Sequence, residues 1–100
     1  MTDHGLTIRA ATDADELALG WLSSLDSRPT LRRPALIAER DGVAVAAIAL
    51  TTGTIVADPF NPTAEAASLL RERRYRLVRQ SGDVGHARWL LRRLAPNPAR

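Results

Sequence analysis

Two apolar runs separated by Asp41-Gly42 dominate the pattern of this chain. The first spans Ala35 to Ala38 and passes into Glu39-Arg40. The second, Val43 to Leu50, is apolar at every position. Asp-Gly between apolar runs is a strong hairpin signal, because a type I′ turn needs φ > 0 at both central residues. A strand wetted on one face alternates apolar and polar side chains. The unbroken second run therefore predicts a central strand covered on both faces. A third run, Thr54 to Ala57, follows a turn at Thr51-Thr52-Gly53. Residues 35–58 thus read as a small antiparallel meander, and the rest of the chain as its cover.

Leu6 to Ala10 reads as a further short strand. Thr12 or Asp13 then caps a helix, with Asp13 and Glu16 spaced as in a capping box. Asp15 and Glu16 suit the positive end of its dipole. Ala14, Leu17, Ala18, Trp21, Leu22 and Leu25 recur at helical spacing and predict one buried stripe, with Trp21 as its core anchor. Pro29 and Pro34 keep the segment from Asp26 to Pro34 out of a helix. Asp26, Arg28, Arg32 and Arg33 are candidates to line a site on that loop. Asn61 as cap and Pro62 at the first turn predict a helix over 62–78. Ala66, Leu69, Leu70 and Leu77 share its apolar face. Arg73 projects from the middle of that face, so it is expected to form an internal ion pair, with Asp58 or Glu39 as acceptor. Val84, Ala87, Leu90, Leu91 and Leu94 predict a last amphipathic helix, with Arg88, Trp89, Arg92 and Arg93 on its other side. The reading divides the chain into a unit over 1–80 and a basic helix and tail over 81–100.

Charge changes this picture more than composition does. The 100 residues carry a formal net charge of +3, and all 14 basic residues are Arg. Residues 1–62 hold five Arg and eight acids, whereas 63–100 hold nine Arg and three acids. The absence of Lys fits a codon usage that favours Arg and Ala; the clustering of Arg does not follow from it. Arg71, Arg74, Arg76, Arg79, Arg88, Trp89, Arg92 and Arg93 are therefore candidates to meet an acidic surface. There is no cysteine, so disulfides, thiol nucleophiles and thiolate metal sites are excluded. His4 and His86 have no ligand-like spacing, and no metal is expected. No run approaches the roughly 18 apolar residues of a membrane span. Met1 to Gly5 lacks a basic region and an apolar region of the kind that opens a secretory leader, so the cytoplasm is the expected location.

The element order is strand, helix, Pro-containing loop, three meander strands, helix. With Leu6-Thr7-Ile8-Arg9-Ala10-Ala11-Thr12-Asp13-Ala14-Asp15 and Leu36-Ile37-Ala38-Glu39-Arg40-Asp41-Gly42, the chain resembles the N-terminal half of the GNAT N-acetyltransferase family over residues 6–79. The resemblance implies an α+β half-fold, β-α-β-β-β-α. In that family the fourth strand leads into a Gly-rich loop whose backbone N–H groups hold the pyrophosphate of acetyl-CoA. Here the place reads Asp58-Pro59-Phe60-Asn61-Pro62-Thr63-Ala64. It has no glycine for close approach, and Pro62 removes one donor. The family's second half, with the Tyr that can act as general acid, has no counterpart; Tyr75 lies in mid-helix and does not take that role.

Three functions follow as expectations. The first is a non-catalytic GNAT-like module that binds a partner or forms a homodimer through the edge strand 54–57. The second is a binder of nucleic acid or an anionic membrane through the arginine-rich helices. The third is a degenerate acyl-CoA N-acetyltransferase, the one reading under which acetyl-CoA would be a cofactor. Asp58, at a strand end, has the position of a general base, or of a carboxylate that serves the helix start or an ion pair. No catalytic residue is assigned.

Overall fold

The computed structural model describes residues 5–80. Strand β1 (Leu6–Ala10) leads through a short 3-10 turn (Asp13–Asp15) into helix α1 (Glu16–Leu25). A loop then enters β2 (Ala35–Arg40), β3 (Val43–Ala49) and β4 (Ile55–Ala57), and helix α2 (Ala64–Gln80) follows. The four strands form one antiparallel sheet in the order β1-β2-β3-β4. The fold is α+β, as the hydrophobic pattern predicts. The expected helix over 84–94, with Arg88, Trp89, Arg92 and Arg93, lies outside the described residues.

The hairpin forms where Asp41-Gly42 places it. Asp41 has φ of 54° and Gly42 of 84°, the left-handed pair that a type I′ turn demands. Just inside it, Ala38 pairs with Ala46 but Glu39 pairs with Ala44, so Val45 is an extra residue in β3. A bulge of this kind turns two successive side chains to one face. Val45 and Ala46 both join the core under α2, and the Val45 carbonyl accepts the Asp58 N–H (2.9 Å).

From Val45 to Ala49 the central run is covered on both faces, because each helix takes one, whereas Val43, next to the turn, is 57% exposed. Leu36, Ala38, Val45, Ala46 and Ile48 pack with Ala66 and Leu70 of α2. Ile37, Ala47, Ala49 and Val56 pack with Leu19 and Leu22 of α1. Leu19, Leu22 and Leu70 are fully buried, and each such side chain stabilises by about 1.5–3 kcal/mol.

Three sequence expectations change. The α1 stripe is rotated: Leu19, Leu22 and Ser23 are buried, whereas Leu17 is 88% and Trp21 47% exposed. Trp21 is not a core anchor. The reason lies at the start of the helix. Thr12 is the cap, its hydroxyl accepting the Ala14 N–H (3.2 Å), and its N–H donates to Asp15 (2.7 Å). Asp15 also receives a bidentate pair from Arg9 (2.7 and 2.8 Å), which pins it beside β1 and sets the helix's rotation. The expected box residues Asp13 and Glu16 instead hold Arg33 at 2.8 and 2.6 Å.

The second change is at α2, which starts at Ala64 and not Pro62: its first helical bond runs from the Ala67 N–H to the Thr63 carbonyl (2.9 Å), while Asn61 lies before it and donates from Nδ2 to Asp58 (2.7 Å). The third is the inner arginine of α2. Arg73 is exposed, and among the described residues no ion pair joins it to Asp58 or Glu39. Its neighbour Arg74 turns inward, donating from Nε to the Leu50 carbonyl (2.8 Å). Glu39 serves Arg9 (2.9 Å).

Candidate functional site

Three places bring chemistry-bearing side chains together. The first is the turn from β4 into α2. Asp58 is a buried carboxylate, 5% exposed. Its Oδ1 accepts the Phe60 N–H (2.8 Å) and its Oδ2 accepts Asn61 Nδ2 (2.7 Å). Such a side chain closes an Asx turn, in which the carboxylate takes N–H groups that would otherwise face outward. A shallow groove of about 350 Å3 lies at the helix start, lined by Arg40, Asn61, Pro62, Ala64 and Glu65. Arg40 is the one cation among those lining residues. Glu65 is acidic, and Phe60 beside it is 80% exposed.

The second is the loop from Asp26 to Pro34. It is held at both ends and in the middle. Ser23 Oγ, fully buried, donates to the Leu19 carbonyl (2.7 Å) and accepts the Leu31 N–H (2.9 Å). The Arg28 N–H bonds the Ser23 carbonyl (2.8 Å), and the Pro34 carbonyl accepts the Leu50 N–H (2.9 Å). Leu31 is buried with Leu19 and Leu22. The four residues singled out on this loop separate. Arg28 and Arg32 line a groove with Thr51, Thr52 and Thr54. Arg33 is closed off by Asp13 and Glu16. Asp26 turns to the sheet, where its carboxylate accepts the Ala57 N–H (3.2 Å) on the outer edge of β4. Asp26 also approaches Arg28 Nε at 3.8 Å. The threonines opposite carried no signal in the sequence, since only the folding of the β3–β4 turn brings them to the loop.

The third is the outer face of α2. Arg71, Arg73, Arg76 and Arg79 are exposed. Arg76 meets Glu72 at 3.8 Å, and Arg79 lies over the Tyr75 ring at 5.7 Å while donating to its hydroxyl (3.1 Å). Arg74 does not belong to this face. Besides holding Leu50, its guanidinium lies 3.3 Å from where a Cβ on Gly53 would sit, and Gly53 has φ of 82°. It is a strap on the β3–β4 turn, so it is withdrawn from the candidate binding set.

One carboxyl is strongly perturbed. Arg9, followed by the Thr12 N–H, holds Asp15 well below the ordinary carboxylate range against the opposing effect of burial. This is a structural anchor and lies apart from all three places. Among the described residues no cluster of His, Asp or Glu has the makings of a metal site, and no helix is long and apolar enough to cross a membrane.

Fold and sites define a four-stranded antiparallel meander with one helix on each face. No protein-family model, no curated protein and no solved structure matches the chain.

Proposed function

We propose that this chain is a GNAT-like module that works by association with a protein surface and not by acetyl transfer. Asp58 is the observation that carries the reading. At the position where the family's loop presents free N–H groups to a pyrophosphate, a buried carboxylate already accepts the Phe60 N–H. Among the side chains lining the groove at that helix start, a phosphate would meet the carboxylate of Glu65 and one cation, Arg40, to offset it. Like charges at such range oppose binding, and a donor already engaged adds nothing. The meander order and the two covered faces agree with the half-fold that the sequence resembles, and a strand edge and an apolar helix face remain outward.

The association surface is the outer face of α1, with Leu17 and Trp21, beside the edge of β4. The edge alone is a poor interface. It is three residues long, and Asp26 occupies the Ala57 N–H, two of the devices by which proteins blunt edges. Trp and Leu standing in solvent on a helix packed beside that edge are the better anchor.

Calorimetric titration with acetyl-CoA, at low and moderate salt, tests the first half. No saturable heat is expected at moderate salt, and saturable binding that survives it overturns the reading in favour of an acyl-CoA enzyme. Sedimentation equilibrium tests the second half, with a second copy as partner. Concentration-dependent dimerisation is expected, weakened by Trp21→Ser; a monomer at millimolar concentration overturns self-association.

A second reading has its own observation. The outer face of α2 combines four exposed arginines with Tyr75, a basic surface carrying a stacking ring. It fits single-stranded nucleic acid or an anionic membrane. Fluorescence titration with a labelled oligonucleotide would show affinity falling steeply with salt if several arginines contact phosphate.

A further inference from the structure

We infer that the groove between the 26–34 loop and the β3–β4 turn binds the phosphate group of a small phosphomonoester. The groove measures about 530 Å3, within the roughly 300–1,000 Å3 range of small-molecule sites. One wall carries Arg28, Thr30 and Arg32, and the other Thr51, Thr52 and Thr54. No carboxylate lines it. Arg32 has no hydrogen bond or ion pair among the described residues. Arg28 has only the long 3.8 Å approach to Asp26, and its side chain is 54% exposed. Of the threonine hydroxyls, Thr52 and Thr54 bond each other at 3.0 Å, and the Thr30 and Thr51 hydroxyls are unengaged among the described residues. Guanidinium groups and neutral hydroxyl donors without a competing acceptor suit a tetrahedral oxyanion that is approached from two sides.

A neighbouring groove differs in charge. That one, about 410 Å3, is lined by Glu16 and Arg33 along with Arg32. There Arg33 is already neutralised by Asp13 and Glu16. Two of the three arginines on the loop are thus left without a full partner, and both face the same groove.

The site is also built in advance. Flexible cationic loops lose affinity to the ordering they must undergo. Here the loop is fixed by Ser23, by the Leu50 N–H to Pro34, and by Leu31 in the core. The turn opposite is fixed by Arg74 on the Leu50 carbonyl. Leu31, Pro29 and Ala49 supply an apolar lining against which the organic part of the ligand would lie.

The test is an amide NMR titration of the full chain with inorganic phosphate and with phenyl phosphate at moderate salt. Saturable shifts are expected at Thr30 to Arg32 and Thr51 to Thr54, with phenyl phosphate the tighter of the two. Arg32→Ala, at an exposed side chain without partners among the described residues, should leave the fold intact and weaken binding by about tenfold or more, as loss of a charge-assisted contact does. Ser68→Ala, at an exposed position of α2, should leave binding unchanged. Equal affinity for the two probes overturns the phosphomonoester assignment. Shifts that do not saturate, that spread over α2, or that survive Arg32→Ala overturn the site.

Discussion

The two helices cover opposite faces of one sheet but are held in different ways. Helix α1 buries Leu19 and Leu22 and is tied down by polar contacts at both ends: Arg9 and Thr12 on Asp15, Arg33 on Asp13 and Glu16, Ser23 on Leu31. Helix α2 buries Ala66 and Leu70 and is tied to the end of the sheet by Arg74 on Leu50. The difference teaches which forces set a helix's rotation. In α2 the apolar residues read from spacing, Ala66, Leu69, Leu70 and Leu77, are the ones that pack on the sheet, although the inward arginine is Arg74 and not Arg73. In α1 Asp15 is held to Arg9 and Thr12 at the helix start, and Leu19, Leu22 and Ser23 face the sheet while Leu17 and Trp21 lie outside.

Cutting into either seam has the largest expected effect. Leu22→Ala should cost about 2–5 kcal/mol in urea unfolding, and Leu70→Ala should fall in the same range. If Leu22→Ala cost under about 1 kcal/mol, polar ties rather than packing would be what holds α1.

Removing the polar anchor sharpens the contrast. Asp15→Asn should cost about 2 kcal/mol at pH 7, discounted because the Arg9 side chain is 40% exposed. The pH dependence has a definite sign. The folded state holds the Asp15 carboxyl below its unfolded value, so this stability is fully present above about pH 4 and is lost progressively as pH falls below it. The gap between wild type and Asp15→Asn should therefore narrow on acidification. A gap that stays constant from pH 7 to pH 3 would remove Asp15 as the anchor.

Ser23→Ala leaves the buried Leu31 N–H without its acceptor and should cost about 1–2 kcal/mol. It should also broaden the amide signals of the 28–33 loop. The smallest effect separates adjacent arginines. Arg74→Ala should cost about 1 kcal/mol through the Leu50 carbonyl, whereas Arg73→Ala should stay within about 0.5 kcal/mol. Equal costs would mean that Arg74 is no strap.

Much of the sheet was legible because its signals are local. Asp41-Gly42 states its own backbone angles, and the unbroken apolar run predicts the burial that holds from Val45 to Ala49, though not at Val43 beside the turn. Ala66, Leu69, Leu70 and Leu77 likewise announce the inner face of α2. The groove was half legible. Pro29, Pro34 and the loop arginines mark one wall, but Thr51, Thr52 and Thr54 look like ordinary turn residues. The separation of Arg28 and Arg32 from Arg33 depends on Asp13 and Glu16, residues that spacing assigned to capping.

The sequence by itself determined the strands, the turn between β2 and β3, and the burial of the central run, since each follows from backbone preference or from apolar periodicity over a few residues. Only the tertiary structure decided the rotation of α1, the choice of Arg74 over Arg73, and which loop arginines stay unpaired. Those outcomes turn on which charged groups the folded backbone brings within reach of one another, and a chain meets such partners only after distant strands have come into register.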